Sequence, residues 1–263
     1  MNINNSENML DRFFSVYLDT DIASVHPQTL KVVATERRKR REVGYGFIHV
    51  VWILLCRNKC IVSTQPQLQD AIKKLFSGIT DFGIIREKQF HAKLVDICIR
   101  EGFNKELLSI ANGLRYICLP CNFVAISDAN IQAIVHNTAR KIRRDLSEGG
   151  VGNLDSSITQ KTAFAYFKNG LPVAFCLTHD IGHMVDQIGD IGGIFTSKSH
   201  RGRGYAKAVL SATTKALIKS GRVPTYGTSD TNLASQATAK SVGYTDYAWQ
   251  MSVKQRMEND IVQ

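Results

Sequence analysis

The chain has 263 residues, of which 44% are hydrophobic and 21% charged, with 5 Pro and 19 Gly. This is the balance of a folded globular protein and excludes a disordered or collagen-like one. The length suits one elaborated domain or two of ordinary size, and two are expected. A net charge of +10 points to attraction for polyanions, whether nucleic acid, an acidic protein or a ligand carrying several phosphates, and does not choose among them.

The longest apolar run, residues 47–56, contains His49 and is far shorter than the roughly 20 residues needed to cross a bilayer. It reads as a buried strand, so no membrane partner is expected. The N-terminus lacks the basic-then-apolar order of a signal peptide, and a cytoplasmic protein with reduced thiols is the expectation. Cys56, Cys60, Cys98, Cys118, Cys121 and Cys176 then read as thiols in or near apolar segments. A zinc site pairing Cys118 and Cys121 with Cys56 and Cys60 is the alternative, and redox chemistry at the lone C-x-x-C another. No histidine shows metal-ligand spacing, so no metal is assigned.

In chain order, residues 8–42 show helical spacing, with Phe13, Phe14 and Tyr17 on one stripe and a second helix starting near His26-Pro27. The basic run Arg37-Arg38-Lys39-Arg40-Arg41, bracketed by Glu36 and Glu42, reads as a solvated helix face ahead of a nucleic-acid patch. No aromatic interleaving of the base-stacking kind accompanies it, so nucleic acid is a disfavoured partner. Two strands, 46–55 and 59–64, flank the turn Arg57-Asn58, and a helix follows over 67–76. Residues 91–111 repeat helical spacing through Leu94, Ile97, Leu107 and Ile110, broken around Gly102. Gly113 ends that stretch, and the domain boundary is placed there, giving regions 1–112 and 113–263.

A strand-like run over 114–126 opens the second region. A helix then starts at an N-cap on Ser127 or Asp128 and continues through Ile131, Val135, Ile142 and Leu146 to Gly149-Gly150. Residues 162–167 and 171–178 form the clearest hairpin, because Asn169-Gly170 is the preferred pair where both turn residues need positive φ. A strand over 183–196 leads into a Gly-rich turn and a helix. A strand (224–229), a short helix (232–242) and a last strand (244–253) complete a mixed α/β order with one antiparallel hairpin.

The Gly-rich turn carries the chemistry. Between a strand and a helix, such a turn presents backbone N–H groups at the positive end of the helix dipole and binds phosphate. A Rossmann turn requires a third glycine where this chain has Lys207, and a P-loop requires G-K-[ST], which is absent. What remains, Arg201-Gly202-Arg203-Gly204-Tyr205-Ala206, resembles the acetyl-CoA signature [QR]-x-x-G-x-[GA] of the GNAT superfamily of N-acetyltransferases. Ile194-Phe195-Thr196 before the turn resemble that family's cofactor-contacting strand. Asn232-Leu233-Ala234-Ser235 and Gly243-Tyr244 resemble its later N-x-x-[SA] and G-[FY] segments. The resemblance covers roughly residues 114–253, and its end resembles the small-molecule branch that includes antibiotic-resistance enzymes.

The resemblance implies a mixed, mostly antiparallel sheet flanked by helices, with residues 1–112 an α/β extension or a degenerate GNAT-like lobe. It implies acetyl-CoA as cosubstrate, held by Ile194, Phe195, Thr196, Arg201, Gly202, Arg203, Gly204, Tyr205, Ala206, Asn232 and Ser235. It also implies direct attack of an amine on the thioester. The amine, with a pKa near 10, must lose a proton first, and Asp190 is the first candidate base, with Asp186 and His183 as rivals. The oxyanion needs a backbone N–H from the strand over 190–196, where Gly192-Gly193 permits distortion. The tyrosine that many GNAT enzymes use to protonate the thiolate falls at Ala239, which leaves Tyr226 or Ser235 for the task, or unassisted departure. The expected acceptor is an amine on a small molecule, an aminoglycoside-like antibiotic being one candidate. A protein or peptide acetyltransferase, a non-catalytic acyl-CoA-binding module, and a homodimer as partner stay open.

Overall fold

The computed structural model describes residues 3–42 and 47–256. Its elements are α1 (Ile3–Leu18), β1 (Leu30–Ala34), β2 (Ile48–Cys56), β3 (Lys59–Thr64), α2 (Gln69–Phe76), α3 (Lys88–Arg100) and β4 (Leu108–Ile117). These are followed by β5 (Ile131–Ala133), α4 (His136–Asp145), α5 (Leu154–Thr159), β6 (Phe164–Lys168), β7 (Leu171–Thr178) and β8 (Ile188–Thr196). The chain then forms α6 (Tyr205–Lys219), β9 (Val223–Thr228), α7 (Leu233–Ser241) and β10 (Thr245–Gln255). They divide into two compact units. One holds Glu7–Leu114 and the chain from Tyr247 on; the other holds Arg115–Asp246 and the residues up to Ser6.

In the first unit the strand order is β1-β3-β2-β10, with β1 parallel to β3 and the other pairs antiparallel. All nine residues of β2 are buried, as a continuous run of β-branched and other apolar residues requires when both faces are covered. Ile72 and Phe76 of α2 and Leu94 and Ile97 of α3 share a core with Val51, Ile53, Val62 and Met251. Arg57 and Asn58 both take positive φ in the β2–β3 turn. The strands expected over 46–55 and 59–64 and the helix over 67–76 are present, with Gly46 outside the described residues.

Other expectations for this unit are corrected. No helix starts near His26: Leu30–Ala34 is a strand, because Val32 and Val33 find a ladder on β3 that local spacing does not reveal. The basic run is a solvated face only in part: Glu36–Lys39 is a single 3-10 turn, and Lys39, Arg40 and Arg41 are exposed while Arg37 and Arg38 are engaged with the protein. Arg38 is fully buried, donates to Tyr17 O at 2.6 Å and is ion-paired with Glu42, which also takes Arg37 at 2.6 Å. Leu107 and Ile110 do not extend a helix, since α3 stops at Arg100 and β4 starts at Leu108.

In the second unit the order is β9-β8-β7-β6-β5, antiparallel except for β8 with β9. The β6–β7 hairpin turns at Asn169 and Gly170, with φ of 50° and 75°. Residues 131–133 are a strand paired with β6, not part of a helix from Asp128. The Asp128 carboxylate instead accepts from Asn130 N at 2.9 Å and Tyr166 Oη at 2.8 Å, a local turn that competes with helix capping. The helix starts at His136, after a cap in which the Thr138 hydroxyl and Val135 backbone bond each other. Helix α6 packs on the sheet with Val209, Leu210 and Leu217 buried, and Leu217 sits where a side chain on Gly189 would stand. Each such buried apolar side chain contributes about 1.5–3 kcal/mol. Among the described residues, no helix is long and apolar enough to cross a membrane.

Candidate functional site

The site is built where β8 leaves β9. Their parallel register runs from Ile188 opposite Val223 to Ile191 opposite Tyr226. Beyond it β8 continues against β7, but with a β-bulge: Leu177 faces Gly193 and Thr178 faces Ile191, so the register skips Gly192. Bulges re-aim backbone groups and are found beside active sites. A Cβ at Gly192 would overlap the His179 ring as it stands.

Past Thr196 the chain makes one 3-10 turn and enters the Gly-rich segment. Gly202 (φ 75°) and Gly204 (φ 79°) are left-handed, the second as the residue that caps α6. That conformation costs a residue with a Cβ roughly 1–2 kcal/mol, which is why glycine recurs here. The first bond within α6 closes from Ala208 N to Gly204 O at 3.0 Å, so the N–H groups of the helix's opening turn have no partner inside the helix and present the positive dipole end. Arg201 is steadied by its Nε donating to Thr196 O at 3.1 Å, and the Tyr205 ring stacks on Tyr166 at 4.2 Å.

These parts surround one cavity of about 640 Å³, lined by residues 194–196, 200–207 and Tyr226, and by α7 with the residue before it. The volume is in the range of small-molecule sites. It brings together every residue expected to hold the cofactor, and Tyr226 with them. Lys207, the residue that excludes the dinucleotide pattern, lines it too, as do His200 and Ala234, Ala237, Thr238 and Ser241 of α7. Asn232 caps α7, its side chain accepting from Ser235 N at 3.1 Å, as Asn does at helix starts. Tyr226 Oη and Ser235 Oγ lie 2.6 Å apart. Burial pushes the Tyr226 phenol up to about 12, against a lowering by the Ser235 bond, so it carries its proton at neutral pH.

Asp190 does not fit the role of base. It is 1% exposed and does not line the cavity. Arg115 Nη1 donates to its carboxylate at 3.0 Å and Thr225 Oγ1 at 2.8 Å, and His179 Nδ1 lies 3.5 Å from Oδ2. Burial alone would raise its pKa, but the Arg115 charge and the His179 and Thr225 contacts outweigh this and hold it down at about 2. A carboxylate so firmly ionised and set back from the cavity lining is a poor proton acceptor. Gly227 makes room for the arrangement, since a Cβ there would stand 2.6 Å from Arg115 Nη1. The rivals Asp186 and His183 do not line the cavity either. Ala239 is fully buried.

The five buried cysteines, Cys56, Cys60, Cys98, Cys118 and Cys176, keep their thiol protons at neutral pH. Burial pushes Cys56 up to about 11, and Cys98, Cys118 and Cys176 up to about 12.

Residues 177–253, from the end of β7 into β10, match the family model described as FR47-like protein. The mostly antiparallel sheet, the bulged strand and the parted parallel pair around this segment form a GNAT-like fold. Among solved structures, an X-ray structure of a Drosophila protein is 13% identical with a TM-score of 0.50, covering 97% of this chain and 90% of that one. A GNAT-family acetyltransferase from Colwellia psychrerythraea is 17% identical with a TM-score of 0.49, covering 74% of this chain and 76% of that one. A structure titled as an acetyltransferase of the GNAT family, from Novosphingobium aromaticivorans, is 15% identical with a TM-score of 0.48; the match covers 57% of this chain and 66% of that one. No curated protein matches the sequence.

Proposed function

We propose that the protein transfers the acetyl group of acetyl-CoA to an amine of a small molecule, with aminoglycoside-like antibiotics among the candidate acceptors. One observation carries this reading: a single cavity is lined by the Gly-rich turn, by residues 194–196 of β8 and by Tyr226 at the point where β8 and β9 part. The residues fit the ligand. A pyrophosphate is taken by the opening N–H groups of α6 with Arg201, Arg203 and Lys207 around it. The amides of a pantetheine arm add to the free edge of β8 past Gly192, as an extended ligand adds to a strand. The bulge supplies a backbone N–H for the oxyanion, and the Tyr226 hydroxyl, kept protonated by burial, gives its proton to the leaving sulfur. When bound, acetyl-CoA supplies an activated acyl group and a thiol leaving group.

Calorimetry with acetyl-CoA tests the claim, and no binding at about 1 mM, the top of the usual KM range, rules it out. Gly204→Trp places a bulky side chain on a left-handed residue of the turn and is expected to abolish binding; normal binding would show the turn is not the cradle. Thiol release with amines or peptides separates small-molecule transfer from peptide transfer and from a module that binds without turnover.

A further inference from the structure

We infer that His179 is the general base of the acetyl transfer and that Asp190 is its positioning residue; this rests on the acetyltransferase reading. His179 directly follows β7, and its backbone N–H donates to Asp190 O at 2.7 Å. Its ring fills the space beside Gly192, the residue skipped by the bulge. Gly192 follows Ile191, the pairing partner of Tyr226, and Tyr226 lines the cavity. Like Asp190, His179 does not itself line the cavity; unlike Asp190 its ring is partly exposed, and it packs beside the bulge whose backbone N–H takes the oxyanion in the proposed mode of binding.

The two ring nitrogens face different surroundings. Nδ1 is buried, 3.5 Å from Asp190 Oδ2. The ring as a whole keeps 28% exposure. A proton on Nδ1, facing the carboxylate, leaves the Nε2 lone pair free to accept another, which is how a fixed carboxylate sets the tautomer and orientation of a catalytic imidazole. Asp190 suits that task for the reason it fails as a base: Arg115 and Thr225 fix its position and keep it ionised. It stabilises the imidazolium that forms without taking the proton. The charged groups facing the ring are Asp190 on β8 and, behind it, Arg115 on β4. Asp180, next in the chain, turns its carboxylate to Gly182 N at 3.2 Å.

The step balances as follows. His179 Nε2 takes one proton from the ammonium form of the acceptor. The freed nitrogen pair forms the C–N bond to the thioester carbonyl carbon, and the C–S bond breaks with its electron pair on sulfur. The second nitrogen proton passes to sulfur, through the Tyr226 hydroxyl, and His179 returns its proton to water. The products are an amide, the CoA thiol and one proton.

The test uses the full chain with acetyl-CoA and a panel of primary amines, reading acetyl-CoA binding by calorimetry and turnover by thiol release. His179→Gln is expected to bind acetyl-CoA as the wild type does and to lose on the order of 10²–10⁴-fold in kcat/KM for the amine. It should also lose the acidic limb of the pH profile. Free imidazole is expected to restore part of the rate of His179→Ala. Wild-type turnover by His179→Gln overturns the assignment. So does a loss that leaves the acidic limb in place and is not rescued by imidazole. A wild type that binds acetyl-CoA but turns over no amine in the panel overturns it as well, whereas failure of the wild type to bind acetyl-CoA removes the underlying reading first.

Discussion

Asp190 places a carboxylate in a dry environment, and its surroundings decide what that carboxylate does. Burial disfavours the charged form, and the Arg115 guanidinium with the His179 and Thr225 contacts more than offsets it. Breaking such a pair from one side leaves a charge without compensation and costs about 3–5 kcal/mol. Asp190→Asn is therefore expected to lower unfolding stability in denaturant by that order. The double variant Asp190→Asn with Arg115→Met should be less destabilised than the sum of the two single variants. The pH dependence has a definite sign. The folded pKa is depressed to about 2 from the ordinary value of 3.8, so the stabilisation is present above about pH 4 and is lost as pH falls toward 2. Its size is about 2 kcal/mol. Equal acid sensitivity in wild type and Asp190→Asn would show that the carboxylate is not held in this way.

At the scale of elements, α6 does two things: its inner face packs on β8, and its first turn lines the cavity. The two are joined at Gly189, where an added Cβ would overlap the Leu217 side chain. Gly189→Ala is expected to cost about 1–3 kcal/mol by overpacking, read from denaturant unfolding, and to weaken acetyl-CoA binding as the helix is displaced. Combining it with Leu217→Ala should recover part of both losses; additive losses would mean the contact does not position the helix. Elements whose pattern is closed locally are legible in the sequence: the β6–β7 hairpin from Asn169-Gly170, and the turn before α6 from two glycines that must be left-handed. Leu30–Ala34 and the first residues of β4, 108–111, are misread because their ladder partners lie far away in the chain, and 3–4 residue apolar spacing imitates a helix in both. The same reason hides part of the site. Most residues of the cavity fall in contiguous motifs, whereas Arg115, Asp190 and Thr225 sit on separate strands, His179 just past the end of another, and they carry no shared spacing. Asp190 alone reads as a candidate base on a strand, and only Arg115 beside it changes that role.

At the scale of the whole molecule, the +10 net charge leaves polyanion partners open, and the cavity narrows the choice. Buried Arg38 and paired Arg37 remove two cations of the densest basic run from any flat nucleic-acid surface, while His200, Arg201, Arg203 and Lys207 converge on one cavity. A positive cleft of this kind raises the local concentration of a multiply phosphorylated ligand and speeds its association by 10-fold or more, an effect that salt screens beyond about 10 Å at 0.1 M. The association rate of acetyl-CoA, followed by stopped flow, is therefore expected to fall about tenfold between roughly 0.05 M and 0.5 M salt. Arg203→Ala should flatten that dependence, whereas removing the exposed Lys31 of β1 should leave it nearly unchanged. If both variants flattened it equally, attraction would belong to the summed charge of the protein, and the cations around the turn would have no special part in capturing the donor.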